Sequence, residues 1–421
     1  MPTSDHPAPP RARHRRADPA VPLPHGHGHG HGPLAPTERR VRLLIAALLV
    51  PCALATVVGL VLLAPGAGPA TDEDSTVPRV DGHVTAAVEA PCTDDPAADG
   101  CLTLTVELSE GPLAGNRIET PVSIVRGSAP FGAGDDVVLA VTGPDPANPG
   151  DYEVVDFQRG SPLLVIAVVF AAAVLALGAR RGAAALLALG LTAATLVLFV
   201  LPAILAGQDP LAVAVVGCST IMFGALYLTH GFSARTSTAV LGTLVSLLLI
   251  GVLGAVFSRL ARLTGAGEDT ANLEAVLGAD VDGRGLVLAG LLIGALGALD
   301  DVTVTQTTAV WELRAADPGL RGAALFRSAM RIGRDHVASA VNTLVLAYAG
   351  TTLPLLLLFS AAQRGLGDVL TTQVVATEVV RTLVGSVGLV AAVPVTTAVA
   401  VAVIGGRRAA RTPAATVAAG A

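Results

Sequence analysis

The chain has 421 residues, of which 52% are hydrophobic and only 14% are charged, and its mean hydropathy is +0.65. This composition excludes an ordinary soluble globule and predicts a polytopic protein whose surroundings are the lipid bilayer. The formal net charge of −6 provides no basic surface for a polyanion, so no nucleic-acid partner is expected.

Residues 1–40 are rich in His, Pro, Gly and Arg and are predicted to form a disordered cytoplasmic tail, because they cannot build an apolar core. The tail contains the repeat HGHGHGHG, whose four imidazoles belong to His25, His27, His29 and His31. Transition-metal binding and low-complexity drift both account for such a repeat. Flexible glycines hold no ligand geometry, which favours the second interpretation.

Apolar runs of about 20 residues predict eight membrane-spanning helices. They cover residues 42–64, 161–179, 183–206, 210–230, 236–258, 286–308, 337–360 and 379–404. The first is interpreted as a signal anchor within residues 41–65, and the other seven form a bundle over residues 161–405. Arginines cluster before the first helix, at Arg180 and Arg181, and in the tail 406–421. This distribution predicts a bacterial inner-membrane protein with both termini in the cytoplasm.

The segment 70–160 between the first two helices is strongly acidic, with 17 Asp and Glu against three Arg between Thr71 and Gln158. About five stretches in it alternate apolar and polar residues, and turn-forming residues separate them. The pattern predicts a small extracytoplasmic β domain, either OB-like or a β-sandwich. Cys92 and Cys101 flank a short polar loop there and are expected to form a disulfide outside the cytoplasm.

The segment 285–314, GLVLAGLLIGALGALDDVTVTQTTAVWELR, begins as an apolar run and then carries two adjacent carboxylates. At steps of three and four residues, one helical face holds glycines first and polar side chains afterwards. This face comprises Gly290, Gly294, Gly297, Asp301, Thr305, Thr308 and Glu312. The glycines allow a neighbouring helix to approach closely, and ionisable groups at membrane depth indicate a functional site.

The seventh predicted helix begins with GRDHVASAVNTLVLAYAG, which carries Asp335 and Asn342 on one face and Thr343 and Gly350 on the next. If helices six and seven pack antiparallel, their polar residues lie at similar depth. Asp301, Thr305, Thr308 and Asn342 then offer oxygens to a cation or hydrogen bonds to a polar solute, and Asp301 also becomes a site of proton exchange.

Two further interpretations concern the loop side of these helices. Asp301 pairing with Arg331 or Arg334 would merely fix the hairpin between helices six and seven. The stretch 311–336 looks amphipathic and is expected to lie in the membrane interface.

Enzyme functions are disfavoured by the sequence. It contains no GxSxG, HExxH or P-loop motif, so no enzyme activity and no cofactor are expected. Asp300 and Asp301 point about 100° apart on a helix and therefore cannot face one scissile bond together.

The two helix signatures, GALGALDDVTVTQTTAVWEL and GRDHVASAVNTLVLAYAGTTLPLLL, resemble the YibE/F-like family of bacterial membrane proteins, as does the element DFQR before the second helix. The resemblance covers roughly residues 40–405. Its pattern falls on Gly294, Gly297, Asp301, Glu312, Gly333, Arg334, Asp335, Asn342, Thr343, Tyr348 and Gly350. It implies a multi-pass membrane protein and a candidate permease, without naming a substrate.

The sequence thus predicts a mainly α-helical membrane protein with a small β domain, acting as a permease for an ion or small polar solute. The alternative is a membrane scaffold or envelope assembly factor without transport activity. An envelope protein or a second copy of the chain is the macromolecular partner that these two functions suggest.

Overall fold

The computed structural model describes residues 39–65, 77–91, 100–124, 130–277, 281–361 and 365–405. Within these ranges seven helices are long and apolar enough to cross a membrane. A five-stranded antiparallel sheet lies between the first and second of them along the chain. The prediction of a mainly helical membrane protein with a small β domain is confirmed.

The β domain is built from strands whose hydrophobic residues alternate with polar ones, as the sequence indicated. The strands are β1 (Arg79–Ala90), β2 (Gly100–Leu108), β3 (Arg117–Ile124), β4 (Asp136–Val141) and β5 (Tyr152–Phe157). Their order across the sheet is β3-β2-β1-β4-β5, with every neighbouring pair antiparallel. Alternation lets one face bury apolar side chains, among them Val84, Leu104 and Leu139, each with no exposed surface.

The sheet curls so that its two edge strands approach one another. Thr120 on β3 donates a hydrogen bond to the Tyr152 carbonyl on β5 over 3.1 Å. The described strands therefore form a half-barrel around one apolar core, instead of the two packed sheets of a sandwich. Cys101 on β2 is disulfide-bonded, whereas Cys92, its predicted partner, lies outside the described residues.

A short junction connects β5 to the next helix, and it is the DFQR element. Arg159 donates a hydrogen bond to Asp156 over 2.6 Å, and its guanidinium lies 5.7 Å from the centre of the Phe157 ring. This hydrogen bond holds the pKa of Asp156 below its usual value. Gln158 donates to Asp81 over 2.7 Å and so ties the junction to β1.

The helices follow in chain order and were given their bounds by long apolar runs. They are α1 (Arg39–Leu62), α2 (Gly160–Leu205), α3 (Pro210–His230), α4 (Ala234–Leu260), α5 (Glu268–Leu277), α6 (Gly283–Ala316), α7 (Gly322–Ala361), α8 (Leu366–Thr371) and α9 (Gln373–Gly405). Side-chain caps fix two starts: Asp209 accepts from the Ala212 amide, and Ser233 accepts from the Thr236 amide. The predicted helix six does continue past Asp301, to Ala316.

Helix α2 contains both of the predicted helices 161–179 and 183–206. Its 46 residues would extend about 69 Å if straight, more than twice the apolar thickness of a bilayer. The backbone instead breaks at Ala179, where φ is 46° and ψ is −120°. A Cβ added at Gly182 would lie 2.3 Å from the Val174 carbonyl oxygen, so the chain folds back at this break.

The start of α7 corrects the prediction for the stretch 311–336. We expected that stretch to lie flat in the membrane interface, with the seventh helix beginning at residue 337. Instead α7 begins at Gly322, and Leu325, Ala329 and Gly333 are buried against neighbouring helices. The arginines between these residues lowered the local hydropathy, while the apolar face between them packs within the protein.

The centre of the bundle is formed by α4, α6 and α9, whose glycines and small residues allow close contacts. A Cβ added at Gly388 on α9 would lie 2.0 Å from the Ile250 side chain on α4. One added at Gly254 on α4 would lie 2.6 Å from the Leu291 side chain on α6. Helix α7 packs outside this trio, against α6 and α9.

Candidate functional site

A groove of about 370 Å³ separates α6 from α7. Because the two helices run antiparallel, residues from the middle of α6 face residues from the first half of α7. The lining residues combine small side chains with a few polar ones: Gly294, Gly297, Ala298, Asp301, His336, Ser339, Ala340, Thr343, Leu344 and Ala347. Polar groups at this position in a membrane helix are costly unless they have a partner or a function.

Asp301 is the acidic group of the groove. Its side chain is 70% exposed, and its Oδ2 lies 3.4 Å from Nε2 of His336, whose side chain is 36% exposed. Thr305, one turn further along α6, places its hydroxyl 3.5 Å from the other carboxylate oxygen. The arrangement is an acid–imidazole pair that lies open to the groove, with a hydroxyl beside it.

His336 is the site residue that sequence reasoning missed. Its ring atom Nε2 is inaccessible to solvent and makes no hydrogen bond to any of the described residues. The available signal was its position in the small-residue face that also contains Ala340, Thr343 and Ala347. Arg331, considered as a partner for Asp301, instead donates to Ser328 over 3.4 Å.

The structure brings together some of the predicted path residues and separates others. Thr343 lines the groove with Asp301, and its hydroxyl donates to the Ser339 carbonyl over 3.1 Å. Glu312 lies beyond the groove, 3.7 Å from Arg235 at the start of α4. Thr308, Asp335 and Asn342 are not among the lining residues, and the last two have exposed side chains on α7.

The predicted packing glycines also differ from one another. A methyl group added at Gly294 would lie 2.6 Å from the Tyr348 hydroxyl oxygen of α7, and one added at Gly290 would lie 3.3 Å from Arg381 of α9. These two positions accommodate a neighbouring helix. Added methyl groups at Gly297 and Gly350 would have no neighbouring atom within 4 Å.

Asp300 lies on a different face from Asp301, as their adjacent positions on a helix require. Its Oδ1 is buried and has no hydrogen-bond partner among the described residues. Its charge lies close enough to Cys218 of α3 to act on that thiol. The two neighbouring carboxylates therefore have separate surroundings, one in the core against α3 and one in the groove.

A second polar cluster lies in the core where α4, α6 and α9 meet, and sequence reasoning did not single it out. The Thr243 and Thr303 hydroxyls are 2.8 Å apart, joining α4 to α6. Gln306 donates to Thr397 of α9 over 2.6 Å and to the Ala329 carbonyl of α7 over 3.1 Å. These residues are almost fully buried, so the cluster fixes how four helices pack.

Gly333 of the family signature is explained by this cluster. A Cβ at this position would lie 2.6 Å from Gln306 Oε1 and 2.5 Å from the Val393 side chain. Any larger residue would push α7 away from α6 and α9.

An ion pair lies near the start of α9, where Glu378 and Arg381 are three residues apart. Arg381 Nη1 is 2.5 Å from Glu378 Oε1, and both side chains are only 22–23% exposed. A second groove of about 240 Å³ between α7 and α9 is lined by Glu378 and Tyr348 among mostly apolar residues.

Metal binding finds no support in the described part of the chain, where no group of three or more His, Cys, Asp or Glu side chains is placed to hold an ion. His25, His27, His29 and His31 lie outside the described residues.

Comparison with known protein families matches the YibE/F-like protein family over residues 166–406, which is more than half of the chain. The chain belongs to the YibE/F-like family. The match covers the helices that form the groove and the central trio, and it begins after α1 and the β domain. It is therefore narrower than the expected range 40–405. No curated protein and no solved structure matches the chain.

Proposed function

We propose that this YibE/F-like protein is a permease for an ion or small polar solute, and that the groove between α6 and α7 forms part of its route. The observation that carries the proposal is the placement of Asp301. It lies near the midpoint of the 34-residue helix α6, faces a groove, and is paired with an imidazole instead of a permanent cation. A group of this kind can bind and release a cation or proton as the groove opens and closes.

The chemistry of the groove limits what it can bind. Ser339 and Thr343 add hydroxyl groups, and the remaining lining is glycine, alanine and leucine. Such a lining fits a small cation or a small polar solute that accepts and donates a few hydrogen bonds. A large apolar substrate would find no matching surface, because the groove walls are short side chains beside a carboxylate.

The test uses the purified protein in liposomes on a solid-supported membrane. Concentration jumps are applied for H⁺, Na⁺, K⁺, Mg²⁺, chloride, phosphate and a panel of amino acids. We expect a protein-dependent current for at least one of them, and Asp301→Asn should lower it at least tenfold. Asp209→Asn, which keeps an oxygen to cap α3, is the matched control and should leave the current unchanged.

Two results would overturn the proposal. One is the absence of any protein-dependent current across the panel, and the other is an Asp301→Asn variant with wild-type current. Loss of a crosslinked envelope partner on deletion of residues 77–157, with no current in either protein, would instead support the scaffold function.

A further inference from the structure

The face of α6 that carries Gly290, Gly294, Gly297 and Asp301 is opposed by titratable groups at both ends of a connected route. At one end Arg381 of α9 lies beside Gly290 and pairs with Glu378 over 2.5 Å. At the other end His336 lies 3.4 Å from Asp301.

Tyr348 occupies the position between these two pairs. Its hydroxyl lies against Gly294, at one end of the groove that continues past Gly297 to Asp301. The same side chain lines the second groove together with Glu378. Tyr348 thus contacts both grooves, and its hydroxyl can donate and accept a hydrogen bond at the same time.

The length of the route is comparable with the membrane. From Gly290 to Asp301 is 11 residues, or about 16 Å along the helix, and Thr305 extends the polar line by one more turn. The apolar core of a bilayer is about 30 Å thick. The route therefore covers half of that thickness or more.

The constriction at Tyr348 decides which ion can use the route. Its hydroxyl lies so close to the α6 backbone that a methyl group at Gly294 would be within 2.6 Å, which leaves no space for a hydrated metal cation. Arg381 also places a positive charge beside the route. A proton needs only a chain of groups that exchange hydrogen bonds, and carboxylates, an imidazole and hydroxyls are such groups.

We propose that this face of α6 is a proton path, with Tyr348 as the relay between the Glu378–Arg381 pair and the Asp301–His336 pair. This rests on the proposed permease function and names the proton as its coupling ion. The charged and titratable groups that face the path are Asp301 from α6, His336 and Tyr348 from α7, and Glu378 and Arg381 from α9. Water in the groove connects Tyr348 with the Asp301–His336 pair, since the groove has room for several molecules.

The experiment measures proton entry into liposomes that contain the purified protein and the pH dye pyranine, with valinomycin and K⁺ setting the membrane potential. Entry is followed alone and with each solute that gives a current in the panel above. We expect wild-type protein to increase the rate of entry, and Tyr348→Phe and His336→Gln each to lower that increase at least tenfold. Tyr348→His, which restores an exchangeable proton, should recover a substantial part of it.

Matched controls lie on α3, away from the path. Tyr227→Phe removes a hydroxyl that contacts Ser237, and His230→Gln removes an imidazole at the end of the helix. Both should leave proton entry unchanged.

Wild-type entry with Tyr348→Phe, or no recovery with Tyr348→His, would overturn the relay. Absence of protein-dependent proton entry under every condition would overturn the path, while a solute current that depends on Asp301 would still support the permease. If neither protons nor solutes move, both proposals are wrong.

Discussion

At the residue scale, Gln306 has more structural contacts than any residue of the predicted polar face. Its amide joins α6 to α9 through Thr397 and to α7 through the Ala329 carbonyl. Interhelical hydrogen bonds in membranes contribute roughly 0.6 kcal/mol each, because the unfolded helices also find partners in the bilayer. Two such bonds from one side chain make Gln306 a stabilising residue of the bundle.

Gln306→Leu should therefore lower the free energy of unfolding by about 1 kcal/mol, measured by thermal unfolding in detergent. Thr220→Val is the control, since that hydroxyl bonds only to the Val216 carbonyl of its own helix. An equal melting temperature for Gln306→Leu and wild type would contradict a structural role for the cluster.

The groove could be predicted from the sequence, while the core cluster could not, and helical geometry explains the difference. Asp301 and the glycines recur at steps of three and four, which places them on one face whatever surrounds the helix. Which face of α6 points inward is a different question. Apolar residues face lipid as well as the core, so hydrophobic periodicity does not distinguish the two sides of a membrane helix. Gln306 lay on the buried side without a signal to mark it.

At the scale of elements, the fold-back in α2 decides whether the chain crosses the membrane once or twice there. The hairpin depends on Gly182, because the Val174 carbonyl leaves no space for a side chain. Gly190, eight residues further on, has no neighbouring atom within 4 Å of an added methyl group. The two glycines therefore differ in what they contribute to the same element.

Substitution of the two glycines by alanine should change stability in opposite directions. Gly182→Ala should cost about 1–3 kcal/mol, because overpacking against backbone cannot relax easily. Gly190→Ala should be neutral or gain up to about 1 kcal/mol from helix propensity. Unfolding in detergent and SDS mixtures measures both. A stable Gly182→Ala variant would mean that the chain does not fold back at this position.

The start of α7 illustrates a different limit of sequence reading. Its first turns carry Arg327, Arg331 and Arg334, so hydropathy placed the helix 15 residues too late. In the structure their side chains are exposed, and Leu325 and Ala329 pack inward. A helix that extends beyond the apolar core is thus shortened by any method that reads hydropathy alone.

At the scale of the whole molecule, the arginine distribution makes a definite statement about sidedness. It places the β domain outside and the α6–α7 turn in the cytoplasm. In a protein whose Cys52 and Cys218 are replaced by alanine, Glu89→Cys on β1 should react with a membrane-impermeant maleimide on intact cells. Asp317→Cys in the α6–α7 turn should react only after lysis, and the reverse pattern would invert the topology.

The junction between the β domain and α2 has a mechanical consequence. Only Gln158 and Arg159 separate the end of β5 from the start of α2, and both are engaged: one with Asp81 and the other with Asp156. A connection this short has no slack to absorb a rotation of the sheet. A ligand that turned the half-barrel would therefore exert torque directly on α2, and the first half of that hairpin would be the lever that carries the signal into the bilayer.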